Sequence, residues 1–406
     1  MATVLVIGTL DTKGPEIRHL AERVRELGPG TVVLDSGILG GPVGIVPDVT
    51  REAVALAAGS TIEALRNAGS RGAAVEVMCR GVRTVALDLF AKRKIHGVVA
   101  LGGAEGAVLA AAAMKALPIG VPKLVVSPIA SGRRIFDPFV GTKDVLVMHS
   151  VVDILGLNTV SRTVFDNAAA AIAGMVTHLR ETPKAGRPQV AITMLGNTTR
   201  PLMRVKPNLE AAGFDPVIFH ANGVGGPAME ELIESGAFAG VLDFTLSEIA
   251  GELCGGFHRG GARRMEAAAE TGIPAVVVPG CVDFLVFGAK KDVPEAFRDR
   301  PSYYHNPEFT LVHVTRDERL AIAREIGRKL SKSKGPVAVV VPARGLSIPN
   351  APGGPFFDPE GDAAFRAELG KSLPPSVRVV EVDSHVNDDA FADAVLDTLV
   401  PLLRRT

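Results

Sequence analysis

The sequence predicts an α/β protein with two Rossmann-like domains, each a mostly parallel sheet with helices on both faces. Short β-branched apolar runs alternate with longer amphipathic segments, as expected for strands buried on both faces and the helices that cover them. Glycine-rich polar turns end many of the apolar runs. A polar linker at residues 182–188 divides the pattern into two similar halves. We therefore predict an N-terminal domain over residues 1–183 and a C-terminal domain over residues 188–406.

Composition excludes several classes of function. The 406 residues carry 44 basic and 44 acidic side chains, so a formal net charge of zero argues against a general affinity for nucleic acid or membrane surfaces. Tryptophan is absent, which disfavours a stacking surface for single-stranded nucleic acid. The three cysteines have no CxxC spacing, and neither a signal peptide nor a long apolar run is evident. We expect a cytoplasmic protein with no nucleic-acid partner and no membrane span.

The first strand–turn–helix unit carries the richest set of candidate binding residues. An apolar strand over residues 2–7 is followed by a polar turn, and Pro15 begins a helix that extends to about Leu27. Such a turn directs backbone N–H groups towards the carboxyl end of a strand, where ligands bind in open α/β sheets. The candidates in this turn are Gly8, Thr9, Asp11, Thr12 and Lys13.

Each residue type in this turn has a chemical use. Lys13 suits a phosphate, and Asp11 suits a metal ion or a ligand hydroxyl. Thr9 and Thr12 suit a phosphate or a water bound to Mg²⁺. The turn matches neither the Walker A loop nor the GxGxxG fingerprint. A simple helix cap made by Asp11 or Thr12, with Lys13 solvated, fits the same residues, and both interpretations stay open.

Asp35 ends the second predicted strand, residues 30–35. An acid at this place in a dinucleotide-binding fold often accepts a hydrogen bond from a ribose hydroxyl. A turn-capping aspartate is the alternative, and we favour it. A loop rich in glycine and proline follows, and helices are predicted over residues 51–68 and 73–93.

Two further glycine-bearing turns follow the third and fourth predicted strands, residues 96–101 and 123–127. Adjacent glycines let a backbone come close to a phosphate, although tight packing of a helix on a strand would use the same residues. These turns supply the remaining candidates for nucleotide binding, which are Gly102, Gly103, Gly106, Ser131 and Gly132.

The second half repeats this arrangement. Its predicted strands are residues 189–194, 217–220, 240–245, 274–280, 309–314, 337–341 and 377–382. Polar residues near the ends of these strands should converge at one edge of the sheet, and they are His220, Glu248, Asp283, His305, Arg344, His385 and Asn387. We predict acid–base roles for His220, Glu248 and His385. His305 is expected in a loop. Cys281 fits an activated thiol, but we favour a buried, unreactive cysteine.

Seven segments form a recognisable set. They are GTLDTKG (residues 8–14), PKLVVSPIASG (122–132), VGTKDV (140–145), VVDILGLN (151–158), HANGVGGPAME (220–230), APGGPFFDP (351–359) and DSHVNDDAFADA (383–394). In this order they resemble an ATP-binding family found in many bacteria and fungi, and as the inhibitory N-terminal region of the plant tobamovirus-resistance protein. The resemblance covers essentially the whole sequence. It implies two Rossmann-like domains, ATP in the N-terminal one, and a homodimer or higher homo-oligomer.

Two departures from the family pattern bear on the ligand. Where the family usually has GGSGGT after the third strand, this chain has GGAEGA, which loses two hydroxyls and gains the Glu105 carboxylate. Glu105 would repel a triphosphate unless Mg²⁺ lies between them or the side chain turns outward. Where an acid usually follows Ala-Ser-Gly, this chain has Arg133 and Arg134, which suit direct pairing with phosphate.

Together these features predict an ATP-binding or nucleotide-binding enzyme. The N-terminal domain would bind the nucleotide, with Mg²⁺ at Asp11. The C-terminal loops would act on a small anionic substrate, phosphorylated or similar to a sugar acid, in a cleft between the domains. A non-catalytic, nucleotide-responsive binding protein is one alternative, and a lyase or hydrolase that uses no nucleotide is another.

Overall fold

The computed structural model describes residues 1–130, 139–179 and 186–404. Strands and helices alternate and form two largely parallel sheets flanked by helices, which confirms the predicted α/β class with two Rossmann-like sheets. The chain divides into two compact units, Met1–Pro183 (unit 1) and Lys184–Thr406 (unit 2). Each unit is described by itself.

The described residues of unit 1 form five strands and six helices. The strands are β1 (Thr3–Gly8), β2 (Gly30–Asp35), β3 (Gly97–Leu101), β4 (Lys123–Ser127) and β5 (Leu146–His149). The helices are α1 (Leu10–Glu26), α2 (Arg51–Ala57), α3 (Ile62–Arg66), α4 (Arg71–Ala91), α5 (Ala104–Ala116) and α6 (Thr159–Thr177). All neighbouring strands are parallel, in the order β2-β1-β3-β4-β5.

This strand order defines where a ligand can bind in unit 1. Connections leave β1 towards β2 on one side, while β3 lies on its other side, so the order of the strands reverses at β1. The loops that follow β1 and β3 diverge at this switch point and leave a crevice at the carboxyl edge of the sheet. β3 and β4 are buried at every residue, as expected for parallel strands covered on both faces.

The start of the first helix differs from the prediction. α1 is helical from Leu10, but Lys13 has non-helical backbone angles (φ −126°, ψ 19°), so one turn precedes the continuous helix. The amides of Thr12 and Lys13 donate to the Thr9 carbonyl at 3.1 and 2.8 Å. Pro15 lies in the first turn after the break, where its missing N–H costs little. The sequence located the start of the continuous helix and missed the preceding turn.

The helix predicted over residues 51–68 is two helices. Gly59 has a φ of 73°, in the left-handed region, and follows α2. Thr61 then caps the N-terminus of α3, and its side chain accepts a hydrogen bond from the Ala64 amide at 3.1 Å. The break separates α3 from α2, and residues of α3 and α4 reach the cavity described below.

The described residues of unit 2 form nine strands and seven helices. The strands are β6 (Gln189–Met194), β7 (Asp215–His220), β8 (Gly240–Thr245), β9 (Ala275–Gly280), β10 (Phe284–Phe287), β11 (Ser302–Asn306), β12 (Phe309–His313), β13 (Val337–Pro342) and β14 (Arg378–Val382). The helices are α7 (Thr199–Ala211), α8 (Gly225–Glu234), α9 (Ser247–Cys254), α10 (Ala267–Thr271), α11 (Arg316–Leu330), α12 (Pro359–Ser372) and α13 (Asp389–Leu403).

Six parallel strands of unit 2 repeat the topology of unit 1. Their order is β14-β13-β9-β8-β6-β7, so β6 lies between β7 and β8 as β1 lies between β2 and β3. The equivalent switch point is therefore between β6 and β8. The strands β10, β12 and β11 form a separate antiparallel sheet that the sequence did not predict. His305, expected in a loop, lies in β11.

Both large sheets have apolar cores on their two faces. In β1, Leu5 packs into one core and Val6 into the other, which follows from the alternation of side chains along a strand. In β6, Ala191 and Ile192 divide in the same way. Within the described ranges, no helix combines the length and the apolarity needed to cross a lipid bilayer.

Candidate functional site

A cavity of about 740 Å³ lies at the switch point of unit 1. Its volume falls within the range of roughly 300–1,000 Å³ that is typical of small-molecule and cofactor sites. Its walls come from the turns after β1, β2 and β3 and from α3, α4 and α5. Six of the residues predicted to bind a nucleotide line it, namely Thr9, Asp11, Thr12, Lys13, Gly103 and Gly106.

Two helices begin at this cavity without a side-chain cap. Thr9 precedes α1 and its side chain accepts no hydrogen bond from a backbone amide of that helix, and Gly103, which precedes α5, has no side chain with which to cap it. The first bond of the α5 ladder runs from the Ala107 amide to the Gly103 carbonyl, at 3.0 Å. The three preceding amides of α5 therefore have no intrahelical acceptor, and the positive end of the helix dipole lies at the cavity. Phosphate and carboxylate groups bind at helix N-termini of this kind.

Four residues with hydroxyl groups line the same cavity, namely Ser70, which caps α4, and Thr9, Thr12 and Ser36. Thr9 Oγ1 and Thr12 Oγ1 lie 3.0 Å apart. Ser36, directly after β2, is fully buried, and its Oγ finds no hydrogen-bond partner among the described residues. A buried polar group without a partner costs about 1–3 kcal/mol, so this hydroxyl, which is buried just behind the cavity wall, suggests a ligand that supplies the missing bond after a small movement of that wall.

Asp11 and Asp35 shape the loop after β2. Asp11 Oδ2 accepts hydrogen bonds from two amides of that loop at 3.0 and 3.2 Å. Asp35 Oδ1 accepts from the amides of Leu10 and Gly37 at 3.1 and 2.8 Å. Asp35 is buried, and burial raises the pKa of its carboxyl group. Asp35 thus makes the turn cap that the sequence favoured, and it is not among the described residues that line the cavity.

A Mg²⁺ contact by Asp11 stays a prediction. The described residues contain no group of three or more His, Cys, Asp or Glu side chains that is arranged to hold a metal ion. A cation here would need oxygen atoms from the ligand in addition to Asp11, which is the usual way in which Mg²⁺ binds with a phosphorylated substrate.

The predicted glycines have two different roles. A Cβ atom on Gly8 would overlap the side chain of Ile17, and one on Gly102 would overlap the backbone of the first turn of α5. Both therefore allow a helix to pack closely on a strand, which is the alternative that the sequence left open. A Cβ atom on Gly103 would meet only open space, so this residue leaves room for a ligand at the start of α5.

The cationic side chains at the cavity are engaged in different ways. Lys13 Nζ donates to the carbonyl of Ile154. The Arg66 guanidinium donates to two carbonyls of the loop after β2, at 2.6 and 3.0 Å. Arg71 Nε pairs with Glu105 Oε1 at 2.5 Å. Lys13 and Arg66 thus hold backbone segments, whereas Arg71 is held by another side chain that lines the cavity.

Sequence reasoning missed the cavity wall that α3 and α4 provide. Leu65, Ala74 and Val75 give this wall an apolar surface, and Ser70 and Arg71 lie at the start of α4. They reach the cavity because the crossover from β2 to β3 runs through three helices. No local motif in the sequence marks them.

Four residues considered at the sequence level cannot be placed. Ser131 and Gly132, predicted to contact the nucleotide, lie outside the described residues, as do Arg133 and Arg134.

The switch point of unit 2 holds a buried network of charges. Arg264 is fully buried and donates to Asp243 at 2.5 and 2.6 Å, to Glu248 at 2.7 Å and to Glu230 at 3.2 Å. Burial alone would lower the pKa of Arg264, but the three carboxylates raise it well above its ordinary value. Asp243 also accepts a hydrogen bond from Thr193 Oγ1 at 2.7 Å, which joins β8 to β6.

The prediction of an acid–base role for Glu248 requires correction. Its carboxylate is fully buried, with Oε1 accepting from the amides of Gly223 and Gly226 at 2.8 and 3.1 Å. Its Oε2 accepts from Arg264. Both oxygens are therefore used inside the protein, and Glu248 holds the turn before α8.

The predicted acid–base residues of unit 2 do not meet. His220 ends β7, an edge strand, and is exposed, whereas His385 follows β14, the opposite edge strand. Because neighbouring strands lie about 4.8 Å apart, the ends of these two strands are about 24 Å apart. The expected convergence of His220, Glu248 and His385 on one pocket is therefore wrong.

His385 belongs to a different polar cluster, near the ends of β9, β13 and β14. Its Nδ1 accepts from the Asn387 amide at 3.1 Å, so Nε2 carries the proton and donates to the Ser347 carbonyl at 2.9 Å. Ser347 Oγ donates to Asp283 Oδ2 at 2.5 Å. Asp283 Oδ1 and both polar atoms of the Asn387 side chain are buried without a partner in the described ranges. Burial raises the pKa of Asp283.

Cys281 lies in an environment that suits an unreactive thiol. Its side chain is fully buried in a small apolar cluster with Phe284 and Phe356. Burial raises the pKa of its thiol well above the ordinary value. This environment favours the unreactive cysteine that the sequence analysis preferred.

Comparison with known proteins gives a family for both halves of the chain. The models described as the uncharacterised protein family (UPF0261) N-terminal and C-terminal domains match residues 2–181 and 187–403. A UPF0261 protein of Clostridium tetani is 39% identical over 403 residues, which cover 99% of each chain. A UPF0261 protein of Rhizobium meliloti is 38% identical over 98% of each chain.

A plant protein is also similar. The ToMV resistance protein of Solanum lycopersicum is 35% identical over 420 residues, and the match covers 98% of this chain and 55% of the tomato protein. Similarity to solved structures is slight. A monoacylglycerol lipase of Paleococcus ferrophilus aligns with 54% of this chain and 96% of its own at a TM-score of 0.25 and 13% identity, which indicates no function.

Proposed function

The chain belongs to the uncharacterised protein family UPF0261, and on this basis we propose that unit 1 binds a nucleotide, with ATP as the first candidate, in the cavity at its switch point. One observation carries the proposal. The uncapped N-terminus of α5 and Ser36, whose buried hydroxyl has no partner among the described residues, lie in the wall of one cavity of a size that suits a cofactor.

The polar and the apolar lining residues of the cavity suit the two parts of a nucleotide. The start of α5 and the hydroxyls of Thr9, Thr12 and Ser36 offer donors to phosphate oxygens. The wall formed by Leu65 and Val75 offers apolar surface to a base or to another flat group. Mg²⁺, if required, would be held by Asp11 together with phosphate oxygens and would neutralise part of the phosphate charge.

The proposal is tested by removing the Ser36 hydroxyl. The change Ser36→Ala should weaken ATP binding about tenfold, because a hydrogen bond to a charged group is lost. The stability of the free protein should stay the same or rise slightly, because this hydroxyl has no partner among the residues that the structure describes. Isothermal titration calorimetry and thermal unfolding of the full chain measure the two effects.

A matched control uses Ser333 of unit 2, whose Oγ is also buried without a partner among the described residues. Ser333→Ala should leave ATP affinity unchanged. An absence of ATP binding at millimolar concentration, or an equal effect of both substitutions, would contradict the proposal. ATP binding without turnover would favour the nucleotide-responsive binding protein over the enzyme.

A second candidate function is catalysis by unit 2 on a small hydroxylated or phosphorylated acid. The cluster of Asp283, His385 and Asn387 supports it, because buried polar atoms without partners recur at catalytic sites. A thermal-shift screen with sugar acids tests it, and stabilisation by one of them that is lost in His385→Gln would support it. This reaction would need no nucleotide. We also propose that the chain forms a homo-oligomer and that it is located in the cytoplasm.

A further inference from the structure

We propose that Glu105 acts as a charge filter for the cavity of unit 1. In the free protein the Glu105 carboxylate forms an ion pair with Arg71. When the ligand binds, Arg71 exchanges this carboxylate for a phosphate of the ligand. Glu105 then disfavours ligands in proportion to their uncompensated negative charge. The site would therefore prefer a nucleotide whose phosphates carry a divalent cation over the same nucleotide alone. This inference rests on the proposed function and specifies the form of its ligand.

Position is the first argument. Glu105 is the second residue of α5, and Arg71 is the first residue of α4. Both line the cavity, and their side chains join the starts of the two helices at 2.5 Å. The carboxylate thus lies in the same helical turn as the amides that would bind the phosphate. Any phosphate bound at the start of α5 is close to Glu105.

The availability of Arg71 is the second argument. Among the described lining residues, Lys13 and Arg66 are bonded to backbone carbonyls, so their transfer to a ligand would release a segment of chain. Arg71 is bonded to a side chain, and 75% of its own side chain is exposed. An exposed ion pair is weakly held. Among the described residues, Arg71 makes no hydrogen bond to the backbone. The exchange of Glu105 for a phosphate therefore releases no segment of the chain.

The charge balance is the third argument. The described lining residues include three cations, Lys13, Arg66 and Arg71, and two carboxylates, Asp11 and Glu105. Replacing Glu105 with glutamine raises the net charge of these lining residues by one unit, while the side chain keeps nearly the same shape. The gain in affinity should scale with the ligand's negative charge, because the interaction is Coulombic.

The experiment is calorimetric titration of the full chain with ATP in the presence of EDTA, with ATP and excess Mg²⁺, and with adenosine. Glu105→Gln should raise the affinity for free ATP about tenfold and for the magnesium complex about threefold. The affinity for adenosine should not change. The gain for free ATP should shrink as salt rises, because salt screens exposed charges.

A double-mutant cycle isolates the pair. Arg71→Ala alone should weaken ATP binding, because Glu105 then faces the phosphates without compensation. Arg71→Ala combined with Glu105→Ala should restore most of the lost affinity. The control is Asp393→Asn, which removes one partner of the Arg204–Asp393 pair between α7 and α13 in unit 2. It should leave every affinity unchanged.

The outcomes separate the two proposals. Equal gains for free ATP, the magnesium complex and adenosine in Glu105→Gln, or no gain at all, would overturn the charge filter. Nucleotide binding that depends on Ser36 would then still stand. If neither the wild type nor Glu105→Gln bound any nucleotide, both proposals would fall.

Discussion

The two units arrange their parallel strands in the same order around the first strand, yet they use the resulting switch point in opposite ways. In unit 1 the crevice between β1 and β3 is an open cavity with both polar and apolar lining residues. In unit 2 the equivalent place between β6 and β8 is closed by Arg264 and three carboxylates. Strand order therefore determines where a site can form, and the side chains determine whether one does.

The difference has an energetic side. Unit 1 keeps two buried polar atoms at this edge without partners, Ser36 Oγ and Asp35 Oδ2, within the part of the chain that the structure describes. Such atoms reduce stability. At the switch point of unit 2 the buried charges of the Arg264 network are paired, so the network is costly to break, even though it need not add net stability. We infer that the switch point of unit 1 serves binding and that of unit 2 serves folding specificity.

The sharpest way to break this comparison is to remove the centre of the network in unit 2. Arg264→Ala leaves three carboxylates buried without their cation, and it should lower the free energy of unfolding by about 3–5 kcal/mol. ATP affinity at unit 1 should be unchanged in the folded fraction. Urea unfolding and calorimetric titration give the two quantities.

The neighbouring residue supplies the control. Arg263 also contacts two carboxylates, Glu234 and Glu270, but these side chains are largely exposed. Arg263→Ala should lower the free energy of unfolding far less than Arg264→Ala does, because exposed ion pairs contribute little to stability. Similar losses for Arg263→Ala and Arg264→Ala would show that burial of the network is unimportant, and the contrast between the units would fail.

The same contrast explains which features the sequence could predict. The turn from Gly8 to Lys13 was found because strand, turn and helix are adjacent in sequence and each has a local pattern. The prediction for Glu248 was wrong because a carboxylate after a strand has the same local sequence pattern whether its partner is a ligand or a buried arginine. Its partner Arg264 lies 16 residues away in a segment without regular periodicity. Only the tertiary fold selects that partner.

The cavity itself shows a similar limit. The part of the cavity around the glycine turn at Gly103 was predicted from the sequence, but its apolar wall comes from α3 and α4, in the crossover that precedes β3. Ser36 has no motif of its own, and its importance lies in the absence of a partner among the described residues. Such information exists only after the chain has folded.

A smaller effect concerns acid stability. His258 and His313 both belong to unit 2, and burial lowers the pKa of each to about 4. The ordinary value is 6.5, so the native state favours the neutral ring. The stability that each histidine contributes is present above pH 6.5 and is lost as the pH falls towards 4. The free energy of unfolding should therefore change less between pH 7 and pH 4 in His313→Gln than in the wild type. The difference should be about 2 kcal/mol, after allowance for partial exposure of the ring.

The test compares variants, because Asp362 acts in the opposite direction. Burial raises the pKa of Asp362 to about 6 from an ordinary 3.8, so its contribution is present at low pH and is lost as the pH rises through this range. Glutamine can still accept the hydrogen bond that Arg319 donates to the His313 ring at 2.6 Å. Urea unfolding of the wild type and His313→Gln at several pH values gives the difference. A constant difference across this range would contradict the assignment.

The smallest expected effect sharpens the description of unit 1. Lys13 lines the cavity, but its ammonium group donates to the Ile154 carbonyl, in the loop that follows β5. Lys13→Ala should lower the free energy of unfolding by only about 1 kcal/mol, because one hydrogen bond is lost. If Lys13 also reaches a phosphate when the ligand is bound, the same change should weaken ATP binding several-fold.

Hydrogen exchange at the amides near Ile154 separates these two roles of Lys13. Faster exchange in Lys13→Ala without any change in ATP affinity would make Lys13 a tether and would leave the amides of α5 and the hydroxyls as the phosphate contacts. Weaker ATP binding, together with faster exchange in the wild type when ATP binds, would show that Lys13 leaves the loop for the ligand. The open switch point of unit 1 would then couple ligand binding to the loop after β5. At the switch point of unit 2, the Arg264 network fills the equivalent place, so no such coupling arises there.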